Sequence, residues 1–256
     1  MLTTHYRPGS PCWIDVSSPD PDDSVTFYTG LFGWDSVSLG AEHMHYRFCQ
    51  VGGRTVAGIS PERAGRGDPS WLTYFQAPDA DVITKTVEQA GGQVLAAPFD
   101  IEGQGRMAVF ADPAGASFAV WQPGATKGLG LVTDPGSLGW VELYTPDPGG
   151  IRAFYQSVFG WHIEDLPMGD ISYPVISPAE GGGESAAMAG IAQLQEGDRP
   201  HWLAYFEVAD CDATVALAQR LGGTLRAPAM TTEGVGRMAF LADPFGARFA
   251  VITSSA

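Results

Sequence analysis

The sequence predicts an α+β protein of four βαβββ units, two in each of two tandem copies, and three observations carry that prediction. The stretch Arg106-Met107-Ala108-Val109-Phe110-Ala111-Asp112-Pro113-Ala114-Gly115 returns 131 residues later as Arg237-Met238-Ala239-Phe240-Leu241-Ala242-Asp243-Pro244-Phe245-Gly246. In both places apolar runs flank Asp-Pro-x-Gly, which reads as a hairpin because Pro fixes one turn dihedral and Gly accepts the positive φ that closes it. The match extends outward, with Trp71-Leu72-Thr73-Tyr74-Phe75 answering Trp202-Leu203-Ala204-Tyr205-Phe206. At a spacing of 127, Trp13-Ile14-Asp15 answers Trp140-Val141-Glu142, and Phe32-Gly33-Trp34 answers Phe159-Gly160-Trp161. Identity this dense in fixed register means duplication.

Each element follows from local pattern. Cys12 to Ser17 alternates as a strand does, and Val25, Tyr28, Leu31 and Phe32 then recur at helical spacing. Gly33 ends that helix, as a residue without Cβ can. Glycine-punctuated strands follow at Ser36 to Ser38, His45 to Val51 and Val56 to Ile59. Strand, helix and strands then return: Trp71 to Ala77, Val82 to Ala90, Gly92 to Ala97, Arg106 to Ala111 and Ser117 to Trp121. The second copy's extra residues fall near Gly181-Gly182-Gly183-Glu184-Ser185, a loop-like insertion. The segment from Pro123 to Ser137 is rich in Gly and Pro with little apolar periodicity. Domains are therefore expected over 9–123 and 137–254, joined by a linker at 124–136, each large enough to bury a core.

A formal net charge of −15 and a pI near 4.5 argue against nucleic acid and anionic membranes as partners. No apolar run approaches the ~18 residues of a membrane span, and Met1 to Ser10 lacks the succession of a signal peptide, so a cytoplasmic location is expected. Cys12, Cys49 and Cys211 have no CxxC spacing and read as reduced, buried small hydrophobes. A Gly-rich phosphate loop, a GxSxG elbow and a readable Cys-His or Ser-His arrangement are all missing, which leaves nucleotide-dependent and acyl-transfer chemistry without support.

In each copy the Asp-Pro-x-Gly hairpin follows a helix signature, Asp with Phe-Tyr seven and eight residues on and then Phe-Gly-Trp, at Asp20 to Trp34 and at Asp147 to Trp161. Four βαβββ units carrying these signatures in this order resemble the vicinal oxygen chelate superfamily, which includes glyoxalase I, extradiol dioxygenases and the bleomycin- and fosfomycin-resistance proteins. The resemblance spans about residues 9 to 253 and implies paired βαβββ units curled into open, cup-shaped sheets with the ligand inside. It implies no one reaction, because the fold hosts many.

Metal-using members take their ligands from the first strand, the strand opening the second unit, and the last strand. Carried over residue by residue, those places hold Trp13, Leu72 and Ala119 in one copy and Trp140, Leu203 and Ala250 in the other. A divalent metal needs several N, O or S donors converging on one point, which indole, isobutyl and methyl groups do not offer. Neither a metal nor another cofactor is therefore expected. His43 and His45 share a face of the expected strand beside Glu42 and read as polar side chains at its entrance, with ligation as the alternative and His45 a candidate contact for substrate. His201 precedes the repeated Trp-Leu-x-Tyr-Phe strand and is a candidate acid or base at the cup mouth.

If a lost ligand position points into the cup, period-two alternation puts the residue two places on beside it. These are Asp15 and Glu142, next to Trp13 and Trp140. Carboxylates on such faces are costly unless hydrogen-bonded or protonated, a frequent mark of a functional site, and with His201 they form the expected catalytic set. The same alternation turns Tyr74 and Gln76 inward beside Leu72, Tyr205 and Glu207 beside Leu203, and Tyr144 beside Glu142. Trp71, Trp202, Phe75 and Phe206 then fall on the opposite face, under the helices. Arg106 and Arg237, retained in both copies, read as salt-bridge partners or as contacts for a ligand carbonyl or phenolate.

An aromatic cup with a few polar tips suits a flat, mainly apolar ligand. The first expectation is a metal-independent enzyme acting on an aromatic or polyketide-like molecule, with Asp15 or Glu142 moving a proton in a dehydration, cyclisation or isomerisation. The alternative is a protein of the bleomycin-resistance type that sequesters a drug-like compound, and a metal-dependent glyoxalase or dioxygenase ranks third. Four units in one chain can complete the family's paired arrangement internally, so a monomer suffices and a homodimer is the other option.

Overall fold

The computed structural model describes residues 2–62, 68–168, 171–179 and 186–255, and the insertion expected at 181–185 lies outside them. The first copy runs β1 (Pro11–Ser18), α1 (Pro21–Phe32), β2 (Asp35–Ser38), β3 (Arg47–Val51) and β4 (Arg54–Pro61). It continues as β5 (Ser70–Gln76), α2 (Ala80–Gln89), β6 (Gln93–Ile101), β7 (Gly105–Ala111) and β8 (Ser117–Pro123). The second copy repeats the succession as β9 (Leu138–Thr145), α3 (Arg152–Phe159), β10 (His162–Met168), β11 (Ile171–Ser177) and β12 (Ala189–Gln193). It ends with β13 (His201–Glu207), α4 (Cys211–Arg220), β14 (Thr224–Thr232), β15 (Gly236–Ala242) and β16 (Arg248–Ser254). Each copy forms one eight-stranded mixed sheet, in the orders β2-β3-β4-β1-β5-β8-β7-β6 and β10-β11-β12-β9-β13-β16-β15-β14. Among the described residues no helix is long and apolar enough to cross a membrane.

Local chemistry explains the boundaries. Asp20 caps α1 by accepting from the backbone N–H groups of Asp22 and Asp23 at 3.1 and 3.0 Å, ahead of Pro21 in the first turn. Gly33 and Gly160 close α1 and α3 at φ of 70° and 67°, where a side chain would be strained. One expected strand is corrected at its start. His43 lies in a 3₁₀ turn (Ala41–His43), Met44 and His45 follow at φ of 53° and 57°, and β3 begins only at Arg47. Left-handed backbone breaks the strand ladder, so these two histidines are exposed turn residues and not neighbours on a strand face.

The chain divides into two compact units that cross the repeats. One comprises Met1–Trp13, Thr73–Gly128 and Trp140–Trp202, the other Ile14–Leu72, Leu129–Gly139 and Leu203–Ala256. In the first, the Tyr155 hydroxyl of α3 donates to Asp112 Oδ2 at 3.0 Å and accepts from Trp202 Nε1 at 2.9 Å. The Tyr155 ring packs against Phe118, Phe159 and Trp161, and Phe75 packs on the last two. In the second, Tyr28 of α1 donates to Asp243 Oδ2 at 3.0 Å and accepts from Trp71 Nε1 at 3.0 Å, among Phe27, Trp34, Phe206 and Phe249. The helix of each copy thus docks on the Asp-Pro-x-Gly hairpin of the other. Trp71, Trp202, Phe75 and Phe206 lie on the helix-packed side, where alternation puts them.

Burial pushes the carboxyls of Asp112 and Asp243 above the usual aspartate range, although backbone N–H groups and a tyrosine hydroxyl pull the other way. Because each holds its proton more tightly folded than unfolded, its stabilising contribution is complete below the ordinary aspartate pKa of about 3.9 and fades as pH rises through the raised value. Across that window the melting temperature of the wild type should therefore fall relative to that of a variant lacking these two carboxyls. The Asp112→Asn, Asp243→Asn pair should show a flatter curve, and identical curves would refute the assignment.

Candidate functional site

Strands β1 and β4 run parallel with Asp15 opposite Gly58, and β9 and β12 run parallel with Glu142 opposite Gly190. Residues in register on adjacent strands share a face, so each carboxylate looks out beside a glycine. Both carboxylates are buried, Asp15 5% and Glu142 6% exposed, which obliges them to find donors. A tyrosine supplies one in each sheet. Tyr46 Oη donates to Asp15 Oδ2 at 3.0 Å, and Tyr173 Oη donates to Glu142 Oε1. A Cβ built on Gly58 would overlap the Tyr46 hydroxyl, and one on Gly190 that of Tyr173. The glycines are therefore seats across which the phenols reach the neighbouring strand.

The second sheet elaborates the arrangement. Tyr173 Oη also accepts from Trp140 Nε1 at 3.3 Å, giving a chain from indole to phenol to carboxylate. Burial, with the charge of Glu142 and the hydrogen bond to it, pushes the Tyr173 hydroxyl well above its usual range, so it remains a protonated donor. Two residues on from Glu142, Tyr144 stacks on His201 with ring centroids 5.1 Å apart and planes 7° from parallel. His201 Nδ1 lies 2.8 Å from the Arg199 carbonyl, which can only accept, so that nitrogen carries the proton. The first sheet has Ser17 and Ser70 at the corresponding repeat positions.

The other candidates are placed as follows. Tyr74 and Tyr205 are buried in β5 and β13, in register with Ala119 and Ala250, and Tyr205 meets Phe240 edge-on at 6.0 Å. Glu207 accepts from the backbone N–H and the hydroxyl of Ser254 at 2.9 and 2.7 Å, tying β13 to the end of β16. The amide oxygen of Gln76 is buried without a hydrogen-bond partner among the described residues. Arg106 is held by Asp81 and Asp100, each at 2.9 Å, and Arg237 by Asp212 at 2.7 Å and Thr231 at 3.1 Å. The guanidinium groups spend these donors on the first turns of α2 and α4 and on the neighbouring strands. Trp13 is buried, Trp140 half-buried, and His45 is on the exposed turn before β3.

Tyr46, Tyr173, Gly58 and Gly190 are absent from the candidates that sequence reasoning picked. A signal was there: Tyr173 follows Tyr46 by 127 residues, the separation of Glu142 from Asp15, and Ala57-Gly58-Ile59 recurs as Ala189-Gly190-Ile191. Alternation along one strand cannot reveal it, because the tyrosine and the glycine lie outside β1 and β9.

The Gly190→Ala variant should displace Tyr173 and strip a donor from Glu142, destabilising the protein by about 1–3 kcal/mol. Urea unfolding measures this, and wild-type stability would show that the seat is not needed.

The sequence profile of the Glyoxalase/Bleomycin resistance protein/Dioxygenase superfamily matches residues 12–120 and 137–251. The chain belongs to that superfamily. It is 40% identical over 268 residues to the anthracycline biosynthesis protein DauV of Streptomyces sp. (strain C5), covering 97% of this chain and 94% of that one. DnrV of Streptomyces peucetius, also named an anthracycline biosynthesis protein, is 40% identical over 269 residues with the same coverage. Among solved structures, the Mn(II)-bound glyoxalase of Novosphingobium aromaticivorans superposes with a TM-score of 0.64 at 19% identity, over 96% of this chain and 82% of that one. At that identity the likeness shows the fold alone.

The donor set of this superfamily member does not fit the metal that such relatives carry. The positions that the family resemblance assigns to metal ligands have Trp13, Leu72, Ala119, Trp140, Leu203 and Ala250, whose side chains offer no lone pair to a divalent ion. Among the described residues no group of three or more His, Cys, Asp or Glu side chains is gathered to replace them.

Proposed function

We propose that this chain serves natural-product biosynthesis as a metal-independent protein that binds a flat, aromatic, polyketide-like molecule and moves a proton on it with Asp15 or Glu142. The observation that carries the reading is the buried carboxylate of each sheet, held by a tyrosine hydroxyl and set two residues along its strand from a tryptophan. The two relatives named for anthracycline biosynthesis support a role in natural-product biosynthesis, and an aromatic polyketide is the ligand class that fits it. A positioned carboxylate contributes typically about 10²–10⁴-fold to proton transfer, enough for a dehydration, a cyclisation or an isomerisation at an activated ketone.

The test is incubation of purified protein with a panel of aromatic polyketide ketones, read by mass spectrometry and chromatography beside elemental analysis for metal. A product lighter by one water, or an isomer, formed by protein treated with chelator supports the reading. Tight retention of unchanged compound replaces it with sequestration, and activity that disappears with a stoichiometric metal overturns it.

A further inference from the structure

We propose that His201 is the second proton-transfer group of the second sheet: after Glu142 takes a proton from carbon, His201 Nε2 gives one to a hydroxyl of the ligand, which leaves as water. The inference rests on the reading above and deepens it, by assigning a dehydration to one sheet. Trp140, Glu142 and Tyr144 alternate along β9 and so share a face. The stack of His201 on Tyr144 puts the imidazole, from the neighbouring strand β13, on that face too. Tyr144 is about 7 Å along the strand from Glu142, so carboxylate and imidazole stand apart, as a base and an acid that work on different atoms of one ligand must. All of these residues belong to the Trp140–Trp202 stretch of one compact unit.

The ring is held for chemistry at one nitrogen. Nδ1 donates to the Arg199 carbonyl at 2.8 Å and the stack sets the plane, so tautomer and orientation are fixed by two separate contacts. Nε2 is then where a proton is gained or given up. His201 is half-buried, which leaves it within reach of the water that reprotonates it. The first sheet has Ser17 and Ser70 at the corresponding positions, and a serine hydroxyl is too weak an acid to protonate a leaving group near neutral pH. The step balances without a further reactant. The C–H pair becomes the new C=C bond, the C–O bond breaks, and the proton left on Glu142 returns to solvent as Nε2 takes up another.

The compound 3-hydroxy-1-tetralone in heavy water tests the inference, because the two steps leave different records: deuterium exchange beside the ketone, and loss of water to give 1-naphthol. His201→Asn keeps a donor for the Arg199 carbonyl, His201→Phe keeps a ring on Tyr144, and both remove the basic Nε2. Both variants should lose about 10²-fold or more in dehydration, while exchange and half-saturation change less than about threefold. Glu142→Gln should lose exchange and dehydration together. Unimpaired dehydration in either histidine variant, exchange lost along with it, or a wild type that exchanges without dehydrating overturns the inference and leaves the carboxylate reading standing. A wild type that does neither overturns both.

Discussion

Replacing Asp243 by alanine is expected to destabilise the protein by about 3–5 kcal/mol, among the largest losses a single substitution here can cause. Its Oδ1 accepts from the backbone N–H groups of Phe245 and Ala247 at 2.9 and 2.8 Å, and its Oδ2 accepts from Tyr28 at 3.0 Å. Truncation takes the acceptor from all three donors, two of them buried. It also cuts the tie between the helix of the first copy and the hairpin of the second. Asp112→Ala should cost a similar amount, since Asp112 holds Ala114, Ala116 and Tyr155 in the same way. Tyr28→Phe, which removes one hydroxyl and leaves the turn intact, should cost only about 1–2 kcal/mol. Denaturant unfolding of these variants reads the ranking, and an Asp243→Ala protein as stable as Tyr28→Phe would show that the turn holds itself closed without its carboxylate.

The second large effect is on activity. Glu142→Gln should lower turnover of an aromatic polyketide ketone by about 10²–10⁴-fold while changing half-saturation little, because the amide preserves shape and cannot take up a proton. Tyr173 could still donate to the amide oxygen, so the fold should survive. Asp15→Asn asks the same question of the first sheet. Single-turnover measurements on the two variants and on the pair assign the chemistry to one sheet or share it between both. Unimpaired turnover in the double variant would remove the carboxylates from the mechanism.

Much of the fold is legible in the residues. Strand alternation, helical spacing, Asp caps such as Asp20 and left-handed glycines such as Gly33 are encoded within a few residues of one another, so each element is readable in isolation. The register of the two copies is equally local, and it leads to Asp15 and Glu142. The start of β3 is not readable, because the strand-like residues from His45 onward do not show that the chain first makes a turn with two non-glycine residues at positive φ. Tyr46 and Tyr173 are also hidden. Their role depends on which strand lies beside β1 or β9 and on a glycine being in register there, facts that belong to sheet pairing.

By itself, then, the sequence determined that the chain is duplicated, that each copy contains two βαβββ units, and that one carboxylate stands two residues from each first-strand tryptophan. Only the tertiary structure decided which parts go together. Both copies carry a helix tyrosine and a hairpin aspartate, and no local pattern states whether Tyr28 reaches Asp112 or Asp243. The folded chain pairs Tyr28 with Asp243 and Tyr155 with Asp112. Complementary pieces present in duplicate are chemically interchangeable along the sequence. The choice between pairing within a copy and pairing across copies is made by packing, where aromatic rings from α1 and α3 are buried against strands of the opposite repeat.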